Sequence, residues 1–137
     1  MRVTMDELRR ARLNGNKDFE GFDLTDMDFF GSGLLAGCNL RGACFEVAIL
    51  SKARFHGADL RDAKLNHADL SGANLRGANL RFASLLGVNL RYADLRGADL
   101  IGADLSDALF FGVNHDEDTR WPDGFDVGRT TARVVQK

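Results

Sequence analysis

Three histidines and two cysteines are the side chains in this sequence that most often carry catalysis or bind a metal. His56 and His67 stand apart from each other, and His115 opens the acidic segment "HDED". Covalent catalysis needs a hydroxyl or thiol nucleophile activated by a base, and no Ser or Cys is placed for that role beside a histidine. The segment "HDED" lacks the spaced oxygen ligands of a calcium loop. We therefore expect no catalytic residue, no metal site and no cofactor.

The composition indicates one domain without a strong charge preference. A chain of 137 residues is normally a single domain. Its 18 basic and 20 acidic residues give a net charge of −2, which attracts neither nucleic acid nor a membrane surface in general. No apolar run approaches the ~20 residues of a membrane span, and "MRVTMDELRR" lacks the apolar core of a secretory signal. Cys38 and Cys44 form no disulfide framework, which fits a reducing compartment, so we expect a cytoplasmic protein.

A period of five residues organises most of the chain. From Cys38 to Gly112 the sequence divides into fifteen blocks of five, whose central position holds twelve Leu and three Phe. The position two residues earlier holds thirteen Ala, one Cys and one Val. In a helix a step of five turns by about 140°, which would scatter the leucines around the axis. In a straight strand an odd step would invert the side of each leucine.

The chain must therefore bend once per block. The last position of a block is Gly in eight of the fifteen blocks, where unusual backbone angles are tolerated. The bend brings the small and the large apolar columns into one filled interior, which leaves no concave pocket for a substrate, so we expect no enzyme activity. The predicted core ladder consists of Leu60, Leu65, Leu70, Leu75, Leu80, Leu85, Leu90, Leu95, Leu100 and Leu105.

Blocks such as "ADLSG", "ANLRG" and "ADLRG" resemble the A-(D/N)-L-x-x motif of the pentapeptide repeat family. The resemblance covers about residues 18–114. It implies an all-β fold, a right-handed quadrilateral β-helix with four blocks per coil, so that residues twenty apart lie above one another. Fifteen blocks then make nearly four coils, a core on the order of 20 Å long at a strand spacing of ~4.8 Å.

The N-terminal end departs from the repeat. The segment "TMDELRRARLNG" predicts a short capping helix in residues 1–17, with Thr4 as N-cap and Glu7 completing a capping box. The repeat domain then occupies residues 18–114. Its register slips by one residue near "FGSGLLAG", where glycine can absorb an insertion.

The C-terminal end also departs from the repeat. Residues 115–137 are predicted to form a cap or tail, in which Trp121 covers the last coil near Leu105 and Phe110. The final stretch, "GRTTARVVQK", is compatible with a short strand or with disorder.

The outward positions carry two kinds of residue. Arg41, Arg61 and Arg81 form one predicted column beside alternating Asn and Asp, which is typical of a solvated surface with cross-strand ion pairs. Outward apolar residues gather toward the C-terminal end, where Tyr92 is expected to meet Phe111. Either the tail covers part of this set or the set forms an interface, since contiguous exposed apolar area usually marks one. The candidate interface residues are Phe82, Leu86, Tyr92, Ile101, Leu109 and Phe111.

The sequence leads to two alternative functional hypotheses. The first is a non-enzymatic scaffold or protein-binding module with an unknown protein partner, able to form a homodimer through its C-terminal end and without membrane or direct nucleic-acid contacts. The alternative, implied by the family resemblance, is a DNA mimic that binds DNA gyrase, as quinolone-resistance members do. Those members have a strongly acidic surface, and the near-neutral charge of this chain disfavours that alternative.

Overall fold

The computed structural model describes residues 2–127 and, for the backbone alone, residues 133–134. Its regular elements are one helix, α1 (Met5–Leu13), and two short strands, β1 (Asn114–His115) and β2 (Arg133–Val134). The chain between α1 and β1 is a series of turns and single β-bridges. The all-β prediction therefore holds only in a reduced form, because each block contributes one bridged residue rather than a strand. Apart from β2, "GRTTARVVQK" lies outside the described residues.

Parallel bridges set the size of one coil. Asn39 bridges Asp59, and Asp59 bridges Asn79, so bridged residues are twenty apart. Four blocks of five thus complete a coil. The N–H of Leu60 donates to the carbonyl of Asn79 at 2.7 Å, and equivalent bonds join the later coils. The backbone polar groups of each coil are therefore satisfied by its neighbours, which holds the coils in a stack.

Each block ends in a tight turn. After Leu80, the N–H of Ala83 donates to the Leu80 carbonyl at 3.1 Å, and Phe82 between them has a φ of +61°. A four-residue turn with a positive φ at its third residue alone is a type II turn. Gly42 occupies the same position with a φ of +68°, which explains why glycine is frequent there.

The bridged residues of successive coils define four sides, which we number in chain order. The first side is Asp18–Asn39–Asp59–Asn79–Asp99–Arg120, and the second is Arg2–Asp23–Cys44–Lys64–Ser84–Asp104. The third side is Asp28–Ile49–Asp69–Asn89–Leu109, and the fourth is Arg54–Asn74–Asp94–Asn114, which β2 extends to Arg133. The turn residues between two sides form a corner.

The interior is filled by the two apolar columns. The ladder from Leu60 to Leu100 is at most 1 % exposed, and the alanines from Ala43 to Ala98 are equally buried. Leu105, the last residue of the predicted ladder, is only half-buried. The reason is that the second side has no bridged residue after Asp104 in the described part of the chain, so no complete coil covers Leu105.

One residue is inserted in the first coil, in the segment where the sequence predicts it. The N–H of Gly31 donates to Ser51, twenty residues on, whereas the N–H of Gly37 donates to His56, nineteen residues on. The extra residue therefore lies between Gly31 and Gly37. Leu35 keeps the inward position there and is 2 % exposed.

A second insertion, which the sequence analysis missed, follows Asn114. Asp94 bridges Asn114 at a separation of twenty, but Asp99 bridges Arg120 at twenty-one. The bridged register thus continues past residue 114, and His115 occupies the central, inward position of a further block.

Helix α1 packs on the first coil. The N–H of Glu7 donates to the Thr4 hydroxyl at 3.1 Å, which is the N-cap half of the predicted capping box. Among the described residues, the reciprocal bond, in which the Thr4 N–H would donate to the Glu7 carboxylate, is not formed. Leu8 is 2 % exposed, so α1 buries its apolar face over the open end of the stack.

Candidate interaction surface

The three histidines lie in different environments. His56 and His67 are exposed corner residues, whereas His115 is 7 % exposed and faces inward. Among the described residues, the Nε2 atom of His115 has no hydrogen-bond partner, and its ring lies edge-on to Trp121 at 5.6 Å. Burial lowers the pKa of His115 against the opposing effect of Asp116, so the ring is neutral at pH 7. Within the described residues, no group of three His, Cys, Asp or Glu side chains is arranged to hold a metal.

The two cysteines have different surroundings. Cys38 occupies the small inward column, and burial raises the pKa of its thiol, so the thiol stays protonated. Cys44 is bridged on the second side, with its Sγ 3.1 Å from the Thr25 hydroxyl. Both are free thiols.

Several arginines beside the first and fourth sides are paired with aspartates. Arg61 binds Asp59 through both carboxylate oxygens, at 2.9 and 2.6 Å, and Arg96 binds Asp94 with the same two distances. The hydrogen bond from Arg61 lowers the pKa of Asp59. Arg81 reaches Asp99 in the next coil at 3.1 Å. The charges of these three arginines are therefore neutralised by neighbouring aspartates.

The six predicted interface residues divide between different sides. Phe82 and Ile101 lie at the corner between the first and second sides, and Leu86 lies at the next corner. Tyr92 and Phe111 meet edge to face at 5.5 Å, as the register predicts, at the corner between the third and fourth sides. The set is therefore not one continuous patch at the C-terminal end. The remaining member, Leu109, lies on the third side.

Exposed apolar residues instead follow one side along the axis. Eight large hydrophobic side chains are exposed among the described residues, and five of them lie on the third side or at the corner that follows it. We call these five, Phe30, Ile49, Tyr92, Leu109 and Phe111, the apolar stripe. Sequence reasoning missed Phe30 and Ile49, because relating them to Tyr92 and Leu109 requires counting across several coils and, for Phe30, across the first insertion.

A groove of about 410 Å³ lies along the same corner, between the two aromatic residues Phe30 and Tyr92. Its other lining residues are Ser51, Lys52, Ser71 and Gly72. The Lys52 ammonium lies 6.0 Å from the centre of the Phe30 ring.

Two cations lie in or beside this groove, Lys52 in its lining and Arg91 next to Tyr92 in the chain. Among residues 2–127, no carboxylate lies within 4.0 Å of either cation, as is also the case for Arg54, Lys64 and Arg76 on the other sides. The groove thus combines two exposed rings with Lys52, which has no ion-pair partner in this part of the chain.

A second hollow, of about 460 Å³, lies between α1 and the first insertion. It is lined by Arg9, Arg12, Leu13, Gly33 and Leu34, and Arg12 donates to the Leu34 carbonyl at 2.7 Å. This bond ties the helix to the inserted segment, so the hollow belongs to the joint between cap and coils.

The repeats match the family model described as pentapeptide repeats, in eight copies over residues 34–66 and 68–107. This match spans more than half of the chain, so the chain belongs to the pentapeptide repeat family. The resemblance noted in the sequence is thereby confirmed. No curated protein sequence matches the chain significantly.

Several solved structures are similar. A pentapeptide repeat protein of the Arabidopsis thaliana thylakoid lumen is 34 % identical with a TM-score of 0.67, over 69 % of this chain and 66 % of that one. A pentapeptide repeat protein from Nostoc PCC 7120 is 29 % identical with a TM-score of 0.38, over 96 % of both chains. Full-length QnrB1, a plasmid-mediated fluoroquinolone resistance protein, is 20 % identical with a TM-score of 0.41, over 86 % of this chain and 79 % of its own.

Among the residues that the structure describes, none forms a helix long and apolar enough to cross a bilayer.

Proposed function

We propose that this protein is a non-enzymatic binding module that contacts another protein through the apolar stripe. The observation that carries the proposal is the alignment of Phe30, Ile49, Tyr92, Leu109 and Phe111 along one side of the stack. The residues of the apolar stripe form two groups separated by polar residues such as Asp69 and Ser71, and exposed apolar groups of this kind usually mark an interaction site. Pentapeptide repeat proteins are in general structural or protein-binding, which supports the same conclusion.

The family supplies the finer description of the scaffold. We take the stack of four-block coils to be a right-handed quadrilateral β-helix that begins near residue 18 and whose bridged register continues to Arg120, with residues 2–17 and 121–127 as its two caps. A rod with a filled interior presents side chains at fixed spacings, which suits recognition by shape and charge.

Self-association through the C-terminal end is a further use of the same scaffold. Leu105 and Phe110 are only partly buried there, and Phe82 and Ile101 lie close to that end. Sedimentation of the wild type and of Phe111→Asp at increasing concentration tests a homodimer. A single monomeric species in both samples would reject it.

Gyrase binding is not part of the proposal. The likeness to QnrB1 is too low to carry an argument, and the surface carries arginines paired with aspartates, such as Arg61 and Arg96, rather than a strong excess of acids. A DNA supercoiling assay is a suitable negative control.

Photo-crosslinking tests the main proposal. A photoreactive amino acid at position 71, beside the apolar stripe, is compared with one at position 61 on the opposite part of the surface. We expect a discrete cross-linked protein from position 71 in a lysate of the source organism, followed by saturable binding of that protein in purified form. Cross-links at position 61 alone would contradict the assignment of the binding side.

We also propose a cytoplasmic location, supported by the free thiols of Cys38 and Cys44. The similar plant protein belongs to the thylakoid lumen, so cell fractionation with an antibody is the deciding measurement.

A further inference from the structure

The geometry points to an extended peptide as the occupant of the groove between Phe30 and Tyr92, with one acidic side chain flanked by two apolar ones. This inference rests on the proposed binding function and specifies the chemistry of the partner at that site. It follows from the spacing of the two rings, from Lys52 between them with Arg91 beside Tyr92, and from the polar groups on the floor.

The spacing fits an extended chain. Phe30 and Tyr92 lie in coils three steps apart, about 14 Å at ~4.8 Å per step. In an extended peptide, residues four apart are separated by ~13 Å and point to the same face, with the residue midway between them also on that face. Apolar side chains at the first and fifth positions can therefore contact the two rings, while the third position faces the groove.

The charge of the groove selects an acid at that third position. Lys52 lies within the groove, and its stem packs over Gly72, where an added Cβ would be 3.3 Å from the Lys52 Cγ. Arg91 adjoins Tyr92 at the other end. Neither cation has a carboxylate within 4.0 Å among residues 2–127, so a carboxylate from a partner would supply the missing counter-charge.

The floor of the groove supplies hydrogen-bonding groups. Ser51 and Ser71 present hydroxyl groups there, and the Ser71 hydroxyl donates to the Asp69 carboxylate at 2.6 Å. The Ser71 oxygen therefore remains able to accept a bond from a peptide N–H.

A second copy of this chain fits the groove less well. Antiparallel pairing of two third sides would place two Asp69 carboxylates opposite each other and would set Lys52 against Arg91. Parallel pairing would set each cation against itself. Like charges placed opposite each other are destabilising, so the charge pattern selects a different partner.

A single nucleic-acid strand also fits less well. It carries a phosphate at every nucleotide, and the groove offers two cations bordered by Asp28 and Asp69 on the third side. Peptide therefore remains the better match, and an oligonucleotide serves as the competing probe.

The test is selection from a phage library of random twelve-residue peptides on the wild-type protein. Phage that bind the Lys52→Gln variant are removed before the selection. We expect enrichment of sequences with Asp or Glu two residues from an apolar residue on each side. A fluorescein-labelled synthetic peptide of the enriched sequence should bind at least ten-fold more weakly to Lys52→Gln and to Tyr92→Asn. Its affinity should also fall as salt is raised.

Matched controls separate the groove from the fold. Phe82→Asn changes a ring at the same left-handed turn position as Tyr92, with a φ of +61° in both, on a different corner. Lys64→Gln removes an exposed lysine from the second side. Both controls should bind the peptide as the wild type does, and thermal melting establishes that all four variants are folded.

Three results would overturn the inference: no enrichment of any sequence, enriched peptides without an acid, or binding that survives both groove substitutions. Tighter binding of a fifteen-residue oligothymidine that depends on Lys52 would assign the groove to nucleic acid instead. A partner cross-linked at position 71 through a segment without an acid would keep the binding function and reject the peptide chemistry. The absence of any cross-link at position 71 would reject both.

Discussion

The two ends of the coil stack are closed in different ways. At the N-terminal end, α1 buries Leu8 over a core that is rich in phenylalanine. Phe45 lies edge-on to Phe29 of the preceding coil at 6.0 Å and to Phe55 of its own coil at 5.9 Å, so rings from two consecutive coils interlock. The described residues of this end leave no side-chain nitrogen or oxygen both buried and without a partner.

The C-terminal end is closed by an aromatic cluster with polar atoms inside. The Trp121 ring stacks on Phe125 at 4.8 Å, and Phe110 contacts both rings. His115 and Thr119 take inward positions that hold Leu and Ala elsewhere. The Thr119 hydroxyl donates to the Leu95 carbonyl at 2.8 Å, but the Nε2 atom of His115 has no partner within residues 2–127.

We therefore expect the same repeat to be closed by two caps of different stability. The apolar face of α1 covers the first coil, and the described residues there bury no unsatisfied side-chain polar atom. The aromatic cluster covers the last coil only in part, and it includes a titratable ring. We therefore expect the C-terminal end to open first and to respond to pH, and four predictions test that contrast.

The largest effect is expected from the core of the N-terminal coils. Phe45→Ala should lower the free energy of unfolding by about 3–5 kcal/mol, because it removes a ring that is fully enclosed. Leu105→Ala, at the half-buried end of the ladder, should lower it by only about 1–2 kcal/mol. Urea denaturation of both variants measures the two losses. Equal losses would show that the two ends are equally well packed.

The next effect concerns a glycine of the last coil. Gly112 has a φ of +74°, and an added Cβ would lie 2.4 Å from the Tyr92 ring. Gly42 has a φ of +68° and would meet nothing within 4 Å. Gly42→Ala should therefore cost about 1–2 kcal/mol from backbone strain alone, and Gly112→Ala about 2–4 kcal/mol because the ring must also move.

Removal of the Tyr92 ring provides the control for the comparison of Gly112→Ala with Gly42→Ala. Combining Gly112→Ala with Tyr92→Asn should leave a residual loss close to that of Gly42→Ala, since only the strained backbone remains. If the double variant is no more stable than the single variant Gly112→Ala, which keeps the Tyr92 ring, the contact with Tyr92 is not the cause of the lost stability.

The interior could be predicted from the sequence because two columns repeat without interruption. Leu80 and Ala78 belong to positions that hold a single residue type in most blocks, and only an inward-facing coil explains both. The first insertion was also predictable, because glycines surround a visible slip of register. These signals depend on local spacing, which a sequence displays directly.

The C-terminal end and the apolar stripe were harder to predict. The second insertion hides the inward positions, because His115 and Trp121 are six residues apart instead of five. A signal was present, since Val113 precedes His115 by two residues and Thr119 precedes Trp121 by two, which is the small-then-large spacing of a block. The apolar stripe depends on residues in several coils, and a contact across coils has no local signature.

The third prediction uses the buried histidine. His115→Leu should raise the free energy of unfolding by about 1–2 kcal/mol at pH 7, because an inward nitrogen without a partner is replaced by the residue most frequent at that position. The effect should grow at lower pH. Because the folded pKa of His115 lies below its ordinary value of 6.5, the unfolded chain binds a proton that the folded chain does not.

The pH dependence gives this prediction its sign. Wild-type stability should fall as the pH drops from 7.5 to 5.5, and His115→Leu should have a flatter profile over that range in thermal melts. His56→Gln, which changes an exposed histidine, should keep the wild-type slope. A slope that is the same in all three proteins would mean that His115 does not report on the C-terminal end.

The smallest effect is expected at the helix that closes the other end. Thr4→Ala removes the hydroxyl that accepts the Glu7 N–H and should cost about 1 kcal/mol, while Thr4→Ser keeps the bond and should cost little. Hydrogen exchange of α1 amides is the sharper measurement, because the helix can open without the coils. Exchange there should accelerate about five-fold in Thr4→Ala, whereas amides of the Leu80 coil should be unchanged. Equal acceleration in both places would mean that the helix and the coils unfold as one unit, and the two ends would then differ in composition but not in the way they open.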